Sequence, residues 1–171
     1  MEISELIQVH TLGYGLQDVK VTFNHDIKVD ASEVSIDAKH GEIISIPRWV
    51  ADILASEKLV DVQDTDMIVA VKQALVKENV QGDFDLSTVE IDFYIKVREY
   101  MKRLAQQDRD KVQSMLNTLM RKRQGKIIGL ANSSKMTSDL AKKLSIEERT
   151  LFNSIHTQSV DFQKQILGDK K

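Results

Sequence analysis

The chain has 171 residues, 42% hydrophobic and 29% charged, with one Pro and seven Gly, a balance that suits regular folded structure and argues against long disordered linkers or a loop-rich all-β fold. Its formal net charge of -2 supplies no global attraction to nucleic-acid phosphates, so any contact of that kind has to be local. The absence of Cys excludes disulfides, thiolate metal sites and cysteine nucleophiles together.

The first sixteen residues carry no clear period, because Leu6, Ile7 and Val9 suit strand or helix and Gly13-Tyr14-Gly15 reads as a turn. From Asp18 the apolar residues alternate. Val19, Val21 and Phe23, then Ile27 and Val29, then Val34 and Ile36, then Ile44 and Ile46 predict four short strands in one small sheet. Asn24-His25-Asp26 and Lys39-His40-Gly41 supply turn-prone residues, the first between strands that would form a hairpin.

At Pro47 the period changes to that of a helix, with Pro as the first helical residue and Trp49, Val50, Ile53 and Leu54 at helical spacing as far as Lys58. Leu59 to Val62 reads as an extended link. Asp64-Thr65-Asp66 then caps a helix carrying Ile68, Val71 and Leu75. Ser87 with Glu90 has the spacing of a capping box, which predicts a helix with the stripe Val89, Phe93, Val97, Tyr100, Met101 and Leu104. Ile91, Tyr94 and Ile95 lie off that stripe, so the helix is either deeply buried or faces a second chain.

A further helix starts near Asp108 and Asp110, with Val112, Leu116, Leu119, Arg123, Ile127, Leu130 and Ala131 on one stripe that Arg123 interrupts. Gly125 and Gly129 within it predict a face where something packs closely, since each costs about 1 kcal/mol relative to Ala. Thr137 to Leu144 forms a short helix, and Ser145 with Glu148 is a second capping box ahead of Leu151, Phe152, Ile155, Phe162 and Ile166. The expected fold is α+β: a small N-terminal β-sheet domain over residues 1–46, then a larger α-helical bundle domain over residues 47–171, joined near Ser45 to Pro47.

No constellation of catalytic residues stands out. His10, His25, His40 and His156 lie in separate segments without metal-ligand spacing. The acids of Asp83-Phe84-Asp85-Leu86-Ser87 resemble the start of a calcium loop, but Thr88 and Tyr94 occupy the positions that need Gly and Glu. Helix capping accounts better for those acids. Gly13-Tyr14-Gly15 lacks the third Gly of a nucleotide fingerprint, and no phosphate loop or nucleophile elbow occurs. The sequence therefore predicts no enzyme, no cofactor and no metal. Met1 to Ser4 lacks the basic start of a signal peptide and no run of about 18 apolar residues occurs, so the expected location is cytoplasmic.

The cluster Arg121, Lys122, Arg123 and Lys126 carries three readings. It is a solvated helix face, a nucleic-acid patch joined by Arg98, Lys102 and Arg103 with weak DNA contact through Arg121, Lys122 and Lys126, or an assembly element in which Arg123 sits within an apolar surface and pairs with a carboxylate. The partner-interface candidates are Phe93, Tyr94, Tyr100, Met101 and Arg123.

The order of a small sheet, then Ile46-Pro47-Arg48-Trp49-Val50-Ala51-Asp52-Ile53-Leu54, then a helical domain containing Arg121-Lys122-Arg123-Gln124-Gly125-Lys126-Ile127-Ile128-Gly129-Leu130-Ala131, resembles the GINS subunits of the replicative helicase. It is most similar to the archaeal class with the β domain first, the counterpart of the eukaryotic Psf Two and Psf Three subunits. The resemblance implies a non-enzymatic scaffold of DNA replication. It would assemble as a hetero-oligomer, two copies with two of a second GINS subunit class of reversed domain order, and bridge the MCM helicase and a RecJ-like protein. Gly125 and Gly129 stand where relatives often have longer side chains.

Overall fold

Alternation of buried and exposed residues along Asp18–Phe23 makes it the central strand of a sheet, since Val19, Val21 and Phe23 face one side and are almost fully buried. The computed structural model describes residues 3–31 and 34–168. In chain order the elements are α1 (Ile3–Leu16), β1 (Asp18–Phe23), β2 (Ile27–Ala31), β3 (Val34–Ala38), β4 (Ile43–Pro47), α2 (Arg48–Ser56), β5 (Val60–Gln63), α3 (Met67–Val80), α4 (Phe93–Lys102), α5 (Gln106–Ser133), α6 (Ser138–Lys143) and α7 (Ile146–Leu167). A small β region thus precedes a helical bundle, the expected α+β class.

Contacts divide the chain into two units: Gln8–Thr65 is one, and the residues from Asp66 onward, with α1 as far as Ile7, are the other. The division expected at residue 46 differs from this, because α2 and β5 pack with the strands: Val50, Ala51, Leu54 and Val60 share one core with Val19, Val21, Phe23 and Ile46.

In the β unit the strands are not one sheet. β1 lies antiparallel between β4 and β5, with Val21 opposite Ile44 on one side and Val62 on the other. β2 and β3 form a separate antiparallel ribbon in which Val29 faces Ile36. The hairpin expected between β1 and β2 therefore does not form, and Leu59 to Val62, read as a link, contributes β5. Its Val60 is buried opposite Phe23 of β1, which makes it a better neighbour than Ile27–Ala31, whose Val29 stays exposed. Gly13-Tyr14-Gly15 is not a turn but part of α1: Tyr14 is buried, with the Arg48 guanidinium 4.3 Å over its ring. Arg48 also donates to Asp64 at 2.6 Å, and its backbone N–H reaches the Gln17 carbonyl at 2.9 Å. One arginine so joins the end of α1, the start of α2 and the end of β5. Pro47, expected as the first helical residue, is instead the last residue of β4 and the N-cap of α2, so the helix starts one position later at Arg48.

In the helical unit Asp66 caps α3 by accepting from the Ile68 N–H, and Ser145 with Glu148 forms a reciprocal capping box at the start of α7, both as expected. Ser145→Ala should cost about 1 kcal/mol of stability, readable as a shifted denaturation midpoint; an unchanged midpoint would show that Glu148 holds the helix start without it.

The helix expected from Ser87 begins only at Phe93. Ser87 spends its hydroxyl on Glu78 rather than on a helix N-terminus. Residues 86–90 have no regular structure and 91–92 form a turn, tied to the α6–α7 junction by Val89 N–H to the Lys143 carbonyl and Ile146 N–H to the Ile91 carbonyl at 3.3 and 2.9 Å. α3, α4 and α5 share a core of Val71, Val97, Val112, Leu119 and Phe93, while Phe152 of α7 packs with Leu86, Ile127, Ala131 and Leu144. Among the described residues no helix is long and apolar enough to cross a membrane.

Candidate functional site

The helical unit is organised around a single charged side chain. Arg123 interrupts the apolar stripe of α5 at a position that faces the bundle, so its guanidinium is drawn out of water and is fully buried. An arginine in that place needs an acceptor for each of its five N–H groups. Each has one. Nε donates to Glu148 Oε1 at 2.6 Å and Nη2 to Glu148 Oε2 at 2.8 Å, a two-point carboxylate pair. Nη2 also reaches the Lys143 carbonyl at 3.0 Å, while Nη1 donates to Glu78 Oε2 at 2.8 Å and to the Ser87 carbonyl at 2.7 Å.

The two carboxylates are satisfied in turn. Glu78 accepts from the Ser87 N–H and hydroxyl at 3.1 and 2.7 Å and from Lys126 at 2.6 Å. Glu148 accepts from the Tyr94 hydroxyl at 2.7 Å and from the Ser145 N–H at 3.1 Å. Arg123 and Lys126 thus balance Glu78 and Glu148. Burial works against the charged forms of Glu78 and Arg123, but the paired partners outweigh it: the Glu78 carboxyl is held below its usual value by Lys126, Ser87 and Arg123, and the guanidinium is held more strongly protonated by Glu148. Burial and the neighbouring Glu148 carboxylate raise the Tyr94 phenol.

This geometry corrects two interface candidates. Arg123 does pair with carboxylates, but with those of its own chain, so none of its donors is left for a partner. Phe93 is also interior, packed in the α3–α4–α5 core and edge-on to Tyr94 at 5.3 Å between ring centres. Tyr100, half-buried, donates to Asp66 at 3.2 Å. Tyr94 and Met101 remain on an open wall. With Ile7, Ile95, Arg98, Leu116, Met120, Ile127 and Leu151 they line a mostly apolar cavity of about 450 Å³ bounded by α4, α5 and α7.

The basic patch is likewise reduced. Lys126 is committed to Glu78, Lys122 donates to the Asn79 side-chain oxygen, and Arg121 is exposed on α5. Lys102 pairs with Glu99 at 2.6 Å. Gly125 and Gly129 do not mark a close approach within the chain: among the described residues no atom comes within 4 Å of where their Cβ atoms would stand. They instead border a depression beside the exposed Phe84. Asp85, read as a helix-capping acid, pairs with Lys143 at 2.6 Å. His156 Nδ1 donates to the Ala131 carbonyl, 2.8 Å away. Among the described residues no group of three His, Cys, Asp or Glu side chains is arranged to hold a metal.

Glu78 is the member of this site that the sequence reading missed. A signal was present: Met67, Val71, Ala74 and Glu78 recur at core spacing, and a carboxylate on the buried face of a helix requires a cation opposite.

No curated protein matches the chain. The sequence model of the GINS complex protein helical bundle domain, named Sld5, matches residues 48–167, more than two thirds of the chain, from the first residue of α2 to the last of α7. The matched segment contains every member of the Arg123 network and, Ile7 apart, every lining residue of the cavity. The chain belongs to the GINS family of subunits that act in DNA replication.

Proposed function

We propose that this chain is the archaeal GINS subunit of the class with its small β domain first, a non-enzymatic scaffold in which the bundle assembles with a second GINS subunit class of reversed domain order. The hetero-oligomer bridges the MCM helicase and a RecJ-like protein in the cytoplasm. The observation that carries this reading is the order of parts: the strands β1 to β4 precede the segment, from Arg48 onward, that matches the GINS helical bundle. The apolar cavity supports it, because Tyr94 and Met101 present uncovered surface of the kind a subunit interface removes from water. Tyr100, half-buried on α4, is a partner-facing candidate beside them.

Native mass measurement after co-expression with the domain-reversed subunit tests the reading. The expected particle contains two copies of each. A monomer that ignores that subunit would overturn it.

A further inference from the structure

α3 is apolar on two opposite faces. Met67, Val71, Ala74 and Glu78 turn inward, while Val69, Gln73, Val76 and Val80 stand on the far side, and the three valines are 45%, 62% and 81% exposed. At 3.6 residues per turn the two sets lie about 180° apart. Valine is a mediocre helix former because its branched side chain loses rotamer freedom there. A solvent-facing row of three is therefore poorly explained by the isolated helix.

The spacing of that row is four, three, four, the alternation of d and a positions along a heptad seam. Val69 and Val76 take d, Gln73 and Val80 take a. Lys72 then falls at g and Lys77 at e, one on each side of the seam, and both are exposed. Neither has a carboxylate three or four residues away along α3, so no pairing within the helix compensates its charge. The seam spans about 16 Å at 1.5 Å per residue, three helical turns.

We propose that this face seats an α-helix of another subunit of the particle, one with an aliphatic heptad seam and carboxylates at its own flanking positions. The helix rather than the strand follows from the four-three-four spacing, which matches the ridge of a second helix. Charge decides between a second copy and a different chain. Two copies of α3 packed through this seam would bring Lys72 and Lys77 against the same lysines in either orientation, which is repulsive. A seam bordered by Asp or Glu would pair with both. Gln73, at the one polar a position, adds a register mark.

This inference rests on the proposed assembly and names its chemistry. The test uses the full chain co-expressed with the domain-reversed GINS subunit, comparing wild type, Val76→Asp and the double variant K72E/K77E by native mass spectrometry and by titration of the purified chains at low and high salt. Circular dichroism checks that each variant keeps its helix content. Val76→Asp is expected to raise the dissociation constant at least tenfold, K72E/K77E to weaken binding and remove its salt dependence, and Glu→Lys changes on the partner helix to restore binding to K72E/K77E. Wild type that assembles while both variants bind equally well would overturn the α3 seam and leave the scaffold reading standing; wild type that fails to assemble would overturn both. K72E/K77E that associates with wild-type chain alone would assign the seam to a second copy and overturn the proposed occupant.

Discussion

Arg123→Met is expected to lower the stability of the helical unit by about 3–5 kcal/mol, the usual cost of removing one partner from a buried ion pair. The methionine fills much of the volume, so the loss is not mainly a cavity. It comes from stripping two of four donors from the buried Glu148 and one of four from the buried Glu78, leaving both short of a counter-charge, and from leaving the Ser87 and Lys143 carbonyls without the guanidinium. A change of that size corresponds to a fall of roughly 10–20 °C in Tm for a unit of this length, measurable by calorimetry. Arg123→Lys should recover only a minor part, because an ammonium offers three donors where five are engaged. Combining Arg123→Met with Glu78→Gln should cost less than the two single changes added together, since the second removes a charge that the first leaves unpaired. Strict additivity would show that the four side chains do not act as one unit.

Glu78 makes stability depend on pH at the acid end. Its carboxyl is held below its ordinary value of 4.5 despite burial, by the hydrogen bonds of Lys126 and Ser87 and the charge of Arg123. A depressed carboxylate contributes stability that is complete above the unfolded value and is lost as pH falls through the lower folded value. Glu78→Gln keeps the shape and removes the charge. The variant should be less stable than wild type by about 3 kcal/mol at pH 7, and the gap should narrow as pH falls below about 4.5, where the carboxyl of the unfolded chain takes up its proton while the folded one holds off until lower pH. Urea unfolding at a series of pH values reads this directly. A gap that stays constant down to pH 3 would mean that the network stabilises through shape and hydrogen bonding alone.

Both expectations concern a site assembled from distant residues. Arg123 announces itself in the sequence as a charge inside an apolar stripe, and the need for a carboxylate follows from the cost of burying it. The identity of that carboxylate does not follow, because Glu78 and Glu148 are 45 and 25 residues away. Glu148 was legible for a different reason, as the third residue after Ser145 in a capping box. One of its oxygens serves that cap and Arg123 together, and the other serves Arg123 and Tyr94. Ser87 shows the opposite error. Its spacing from Glu90 satisfies a local rule, yet a buried carboxylate and a buried guanidinium compete for the same serine and win, so no helix forms until Phe93.

Local physical chemistry in the sequence alone determined the alternating strands β1 to β4, the caps at Asp66 and Ser145, the change of period at Pro47 and the α+β order of the parts, because each depends on neighbours within a few residues. Tertiary structure alone decided that β1 pairs with β4 and β5 instead of β2, that Arg123 closes on its own chain, and that α3 also carries an exposed apolar face. Strand neighbours and buried charge partners are chosen by burial across long loops, and a periodic pattern states that a helix has an apolar face without saying which chain will cover it.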